Sequence, residues 1–311
     1  MVLKKYVFGI DIGGTTVKCG LFQTDGEILE KWEIKTVLGS ILEDVAKTIE
    51  AKILERGMSK DEVSGVGIGV PGPVTTEGFV VVGVNVGWPE GKDVKGELES
   101  ALSLPVAVGN DANVAALGEL WLGAAQGANN AIMYTLGTGV GGGVIVNGKV
   151  VAGTHGAGGE LGHSLAVLNG TPCNCGKLGC LETVASATGI VRETKNFLET
   201  VEMPSSLRDL ATIEAKDVFD AAKLGDEAAL KMVDQLGFYL GLNMAVVSAA
   251  IDPQKIIIGG GVSKAGAILT DAIAKHYREY AFSSIRDAEF VIASCGNDAG
   301  IIGAAYMALT A

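Results

Sequence analysis

The chain has 311 residues, of which 45 are glycine and 48% are apolar, and its formal net charge is −12. A hydrophobic, glycine-heavy chain without a Gly-X-Y period is neither collagen-like nor disordered, and its length suits two cores better than one. The acidic balance, with no run of Lys or Arg longer than two residues, argues against a general nucleic-acid or anionic-membrane surface and leaves room only for a local basic site.

In chain order, Tyr6 to Asp11, Val17 to Phe22 and Glu30 to Thr36 read as strands, with Asp25-Gly26 as a hairpin turn, so the chain is expected to open on three antiparallel strands. Lys4-Lys5 is followed by only a few apolar residues before Asp11, so no signal peptide is expected. Ser40 and Glu43 form a capping-box pattern ahead of a helical period through Ile41, Val45, Ile49 and Ile53, ending near Gly57. Val63 to Val70 is a buried strand broken by Pro71-Gly72-Pro73. A short strand follows at Val106 to Val108, and Asn110-Asp111 opens a helix over Ala112 to Ala125.

At Ala131 the opening pattern returns as strand, glycine turn and strand, with Gly137 matching Gly13. The weak repeat predicts two related α/β domains. Helices are expected near Leu181 to Leu198, Asp226 to Ala250, Ser263 to Tyr280 and Ala299 to Leu309, with strands at Lys255 to Gly259 and Glu289 to Ala293. The expected division is a smaller domain over residues 1–112 plus the helix at about 299–311, and a larger one over 113–298. The longest apolar stretch, Leu236 to Ile251, is too short for a membrane span and contains Asn243, so a soluble, cytoplasmic protein is expected.

Glycine is unevenly placed. Eleven fall between Gly137 and Gly162 but three between Val191 and Ile258, which marks where backbone must turn sharply or approach a ligand. Asp11-Ile12-Gly13-Gly14-Thr15-Thr16 lies between two strands, so it is neither a Walker loop nor a dinucleotide fingerprint. Its backbone N–H groups and threonine hydroxyls suit a phosphate, and Asp11 beside them suits Mg²⁺ held through water. Gly137, Thr138, Gly139 and Gly141 repeat this chemistry, and Gly259-Gly260-Gly261 follows a third strand. Each turn alone reads more readily as an ordinary glycine hairpin. Together they resemble the actin-like ATPase pattern of two phosphate loops and an adenosine loop, which implies an α/β, ribonuclease H-like fold of duplicated domains with a cleft between them.

His163, Cys173, Cys175 and Cys180 supply one nitrogen and three sulfurs within 18 residues. The set suits tetrahedral Zn²⁺ in a closed, structural site within a loop over 163–180; a group of unrelated thiols or a redox pair is the competing reading. Cys19 and Cys295 lie in apolar runs and read as packing residues. Asn110 and Asp111 read as a helix cap or as a carboxylate held near a ligand hydroxyl by a neighbouring amide. A zinc scaffold would pin Glu160 and Glu182 close to His163, a grouping able to bind a polyhydroxylated ligand by several charge-assisted hydrogen bonds.

Glu160-Leu161-Gly162-His163, followed by Cys173-Asn174-Cys175-Gly176-Lys177-Leu178-Gly179-Cys180-Leu181-Glu182, resembles the signature of the ROK family of repressors and sugar kinases. Asp11 to Lys18, Asn85-Val86-Gly87-Trp88, Asn110 to Asn113 and Ile258 to Ser263 fit the same family in the same order, so the resemblance spans essentially the whole chain. Within the family the pattern is most similar to the bacterial glucokinases.

The resemblance implies phosphoryl transfer from ATP with Mg²⁺ to the 6-hydroxyl of glucose or a close hexose. Asp111 would be the general base. Gly72, Asn85, Asn110, Asp111, Glu160, His163 and Glu182 would hold the sugar. Asp11, Gly13, Gly14, Thr15, Thr16, Lys18, Gly137, Thr138, Gly139, Gly141 and Gly259 to Gly261 would hold the nucleotide. A homodimer or homotetramer is implied as well. The alternatives are a kinase for N-acetylmannosamine or mannose, a sugar-sensing regulator of the same family, and an actin- or chaperone-like ATPase. Only eight residues precede Gly9, so a helix-turn-helix domain is not expected, and an actin-like ATPase leaves the Glu160-to-Glu182 grouping unexplained.

Overall fold

The computed structural model describes residues 4–311. Its apolar runs become, in chain order, β1 (Tyr6–Ile12), β2 (Thr16–Gln23), β3 (Ile28–Lys35), α1 (Ile41–Glu55), β4 (Val63–Val70), the short pair β5 (Phe79–Val80) and β6 (Lys92–Asp93), α2 (Val94–Leu102), β7 (Val106–Asn110) and α3 (Asp111–Trp121). There follow β8 (Ala131–Leu136), β9 (Val140–Val146), β10 (Lys149–Val150), α4 (Glu182–Ala185), α5 (Ala187–Thr200), α6 (Ala215–Lys223), α7 (Glu227–Ile251), β11 (Lys255–Gly259), α8 (Ala267–Tyr280), β12 (Glu289–Ile292) and α9 (Ala299–Thr310).

Contacts divide the chain into two compact units. The first runs to Gly127 and takes in Gly143–Gly159 and Ser294–Ala311; the second comprises Ala128–Gly142 and Glu160–Ala293. Two five-stranded sheets share one topology, β3-β2-β1-β4-β7 and β10-β9-β8-β11-β12, so the repeat inferred from one strand–turn–strand device extends to a whole five-stranded sheet. The chain leaves the second unit along β9 itself, after Gly142.

In the first unit β1 and β2 pair antiparallel from Tyr6↔Gln23 to Ile12↔Val17, and β3 adds antiparallel to β2. β4 and β7 continue the sheet in parallel. Alternation along β1 sends Phe8, Ile10 and Ile12 into a core with Val45 and Ile49 of α1 and Leu98 and Leu102 of α2. Val7 faces the other way and packs with Phe22, Ile301, Ile302 and Ala305. On that face a Cβ at Gly9 or Gly67 would overlap the backbone of α9, so glycine lets the helix lie directly on the sheet. The same holds between helices: a Cβ at Gly303 would overlap the Val114 carbonyl oxygen, and one at Gly118 that of Ala299. This close packing of α3 on α9 carries the first unit past residue 112 to Gly127.

In the second unit β8, β11 and β12 are parallel, Ile256 pairing with Ile132 on one side and Phe290 on the other. Ile132, Tyr134, Ile256 and Ile258 join Met232, Leu236 and Leu240 of α7 and Leu269 and Ile273 of α8 in one core. No helix among the described residues is long and apolar enough to cross a membrane.

Some local expectations need correction. The Ser40–Glu43 capping box does not form; Ser40 has ψ 8° instead of the extended value that turns its hydroxyl to the first N–H groups, and its Oγ bonds Asp44 Oδ2 at 2.7 Å. The helix expected over Leu181 to Leu198 is two, because Ser186 is extended and caps α5 through Gly189 N at 2.9 Å. Helix α3 stops at Trp121 instead of Ala125. The turn after β8 is shorter than its glycine run, since β9 begins at Val140 and takes Gly141 to Gly143 into the strand.

Candidate active site

In the first unit the turn between β1 and β2 is closed by Gly13 N donating to Thr16 O at 3.0 Å. Thr36 ties it from behind: its hydroxyl donates to Gly13 O at 2.7 Å and its N–H to Thr15 O at 3.0 Å. A Cβ at Gly14 would sit 3.1 Å from the Asn85 carbonyl oxygen, so Asn85, exposed on the 3-10 turn Val84–Val86, borders the turn. Lys18 is half-buried on β2, its ammonium 3.1 Å from Asn297 O. Asp11 ends beside Gly300 in the first turn of α9, where a Cβ would collide with its carboxylate.

Asn110 caps α3 fully: Oδ1 accepts from Ala112 N at 3.0 Å and Asn113 N at 3.1 Å, and Nδ2 donates to Gly72 O at 3.1 Å. Cap and sugar-site readings therefore apply to one residue, since the cap fixes the next one, Asp111. Gly72 reaches this contact at φ 101°, a conformation that favours glycine. Solvent reaches the Asp111 carboxylate, yet the surrounding protein removes enough of its hydration to raise its pKa above the ordinary carboxylate value, against the opposing pull of Ala112 N. Asp11 is also raised, first by burial and then by the Asp111 charge, with Lys18 opposing. The two carboxylates thus share one electrostatic environment.

In the second unit Gly137 N donates to Gly139 O at 3.0 Å, and the turn leans on α5, whose Ala187 N donates to Gly137 O at 2.8 Å and whose Thr188 hydroxyl donates to Thr138 O at 2.8 Å. Gly260, at φ 82°, lies tight against Leu136, and the Ser263 hydroxyl bonds its carbonyl at 2.7 Å. A cavity of about 480 Å³ is lined by Gly137, Thr138, Gly261 and Val262 together with Lys216 and Phe219 of α6. Two of the three predicted glycine turns therefore meet at one cavity. Its α6 wall leaves no mark in the sequence, because a nine-residue helix with ordinary composition carries no motif. Gly259 closes β11, and Gly141 lies inside β9 beyond the turn.

Glu160 is exposed at the start of the 3-10 turn Leu161–His163, its Oε2 3.9 Å from His163 Nε2. The other ring nitrogen, Nδ1, lies 3.6 Å from Cys173 Sγ, and Cys175 Sγ lies 3.5 Å from Cys180 Sγ. All four donor atoms of His163, Cys173, Cys175 and Cys180 fall within 4.8 Å of one another. Zinc–sulfur bonds of about 2.3 Å set tetrahedral ligand separations of about 3.8 Å, so the donor set fits that ion in number, type and spacing. Burial pushes the Cys180 thiol up to about 12, while the Lys177 N–H beside Cys175 lowers that thiol. Glu182 joins the group: Oε1 lies 3.6 Å from Cys173 Sγ, and Oε2 accepts Val140 N at 3.0 Å.

A model of the ROK family matches residues 7–311. The glucokinase of Halalkalibacterium halodurans is 45% identical over 313 residues, which cover 97% of this chain and 94% of that protein. The crystal structure of a ROK hexokinase from Thermus thermophilus matches with a TM-score of 0.80 at 32% identity, over 97% of each chain. That of a ROK family glucokinase from Streptomyces griseus in complex with glucose and AMPPNP matches with a TM-score of 0.72 at 35% identity, over 98% of this chain and 100% of that one. The chain therefore belongs to the ROK family and has its actin-like ATPase fold.

Proposed function

We propose that this protein transfers the γ-phosphoryl group of ATP to the 6-hydroxyl of glucose. The observation that carries the reading is Asp111, a solvent-accessible carboxylate fixed by the cap of α3 and raised by its surroundings. A raised carboxylate is the stronger base, and Asp111 accepts the hydroxyl proton as the sugar oxygen attacks phosphorus. Asn85, Asn110, Glu160, His163, Glu182 and the backbone at Gly72 orient the hexose. Gly13 to Thr16, Lys18, the turn from Gly137 to Gly139 and the start of β9 through Gly141 hold the phosphates, with Gly259 to Gly261 at the adenosine. Such a transfer asks the protein mainly for positioning and charge stabilisation.

Asp11 would hold Mg²⁺ through water, and that ion, when bound, neutralises phosphate charge. His163, Cys173, Cys175 and Cys180 would hold a structural Zn²⁺, which leaves no open coordination position. The reading includes a cytoplasmic homo-oligomer.

A coupled ADP-release assay with ATP, Mg²⁺ and a panel of hexoses tests it. Glucose is expected to give the highest kcat/KM. Preference for N-acetylmannosamine or mannose would move the assignment to another hexose kinase, and no turnover with any sugar would favour a sugar-sensing regulator.

A further inference from the structure

Glu182 touches more than a sugar site requires. Its Oε2 accepts the Val140 N–H at 3.0 Å, at the point where the turn from Gly137 to Gly139 becomes β9. Gly139 lies so close that any Cβ there would overlap the same oxygen. The other oxygen is 3.6 Å from Cys173 Sγ, which in turn is 3.6 Å from His163 Nδ1. One half-buried side chain therefore spans from the Cys/His loop to the glycine turn, all within the second unit. A turn made of glycines has many accessible conformations, and only fixed partners select the one that aims its N–H groups. Gly137 and Thr138 are restrained from the α5 side, whereas Val140 is restrained by Glu182.

We propose that Glu182 is a positioning residue for the phosphate turn, so that the ordered Cys/His loop sets nucleotide affinity as well as sugar affinity. This rests on the reading of Gly137 to Gly141, the turn and the first residues of β9, as a phosphate-holding segment. The carboxylate acts through Val140 N and needs no contact with the nucleotide. Its remaining lone pairs stay available to a sugar hydroxyl, so the two roles are compatible.

The test measures ADP binding by calorimetry with no sugar present, which removes any contribution from hexose contacts. Glu182→Ala is expected to weaken ADP about tenfold, the equivalent of one charge-assisted hydrogen bond. Glu182→Gln, which keeps a carbonyl acceptor for Val140 N, is expected to recover most of that loss. Gly139→Ala displaces the carboxylate without removing it and is expected to weaken ADP as Glu182→Ala does, which guards against a folding defect in the first variant. Unchanged ADP affinity in folded Glu182→Ala and Gly139→Ala overturns the proposal and leaves the phosphate turn standing. Gly137→Val separates the two readings, because a Cβ at Gly137 meets no protein atom within 4 Å. It is expected to abolish ADP binding; binding equal to the native chain would place the phosphates elsewhere and overturn the proposal with its premise. Failure to phosphorylate any hexose would refute the glucokinase reading without touching this result.

Discussion

Glu119 Oε1 accepts the backbone N–H of Cys295 at 2.8 Å, joining α3 to a segment 176 residues later in the chain. Oε2 accepts from Ala124 N and Ser294 N, each at 2.9 Å. The side chain is wholly buried, and one carboxylate thereby fastens the chain near its exit from the first unit after Gly127 and at its return at Ser294. Burial and the Glu119 charge push the Cys295 thiol up to about 12, in keeping with a packing role.

Glu119→Gln is expected to destabilise the protein by about 2–4 kcal/mol, because a buried amide replaces one acceptor oxygen with a donor and leaves backbone N–H groups unpaired. Chemical denaturation measures this. A change below about 0.5 kcal/mol would show that the carboxylate is not needed there.

Asp111→Asn is expected to lower kcat by about 10²–10⁴-fold while hexose affinity, read by calorimetry, changes by only a few fold. The pH dependence follows from the raised Asp111 carboxyl. The base works only when ionised, so kcat/KM falls as pH drops through its pKa, and the acid limb lies above the ordinary aspartate value of 3.8. Asp111→Asn retaining native turnover would falsify the base assignment.

Metal analysis of protein prepared without chelator is expected to find one zinc per chain. Cys175→Ser, or stripping with a chelator, is expected to lower the unfolding midpoint by about 10 °C, equivalent to roughly 3–5 kcal/mol for a domain of this size. A pure, metal-free sample with unchanged melting rejects the structural zinc site.

Two glycine substitutions separate packing from function. Gly303→Val forces a side chain into the Val114 carbonyl and is expected to cost about 3 kcal/mol or more, through the contact between α3 and α9. Gly261→Ala meets open space, so its stability is expected to change by less than about 1 kcal/mol while ATP KM rises, because the residue lines the 480 Å³ cavity. Equal melting temperatures for the two variants would contradict the distinction.

Features legible in the sequence were local ones. Strand alternation, the Asp25-Gly26 turn and the helical periods depend on neighbouring residues, and most elements lie within a few residues of where the pattern placed them. The Cys/His donors also stand close in sequence, so their spacing carried the expectation before any packing was known. Short elements such as α2 and α6 have too few turns to display a period above their background composition. The Ser40 box failed because backbone geometry at a single residue overrode a side-chain pattern.

The sequence alone established a glycine-rich, acidic chain with duplicated α/β patterning and a four-donor loop. It did not reveal what each glycine is for. Read linearly, the glycine clusters marked turns for phosphate and adenosine; in the folded chain Gly9, Gly67, Gly118 and Gly303, outside those clusters, admit helix backbones against a sheet or another helix. Likewise, nothing near Glu119 in sequence announces Ser294 and Cys295, and nothing near Glu182 announces Val140. The physical reason is common to all of these. A residue's preference for a turn or a strand is set by its own backbone and immediate neighbours, whereas the need for a missing Cβ or a buried acceptor arises only when distant segments are brought into van der Waals contact.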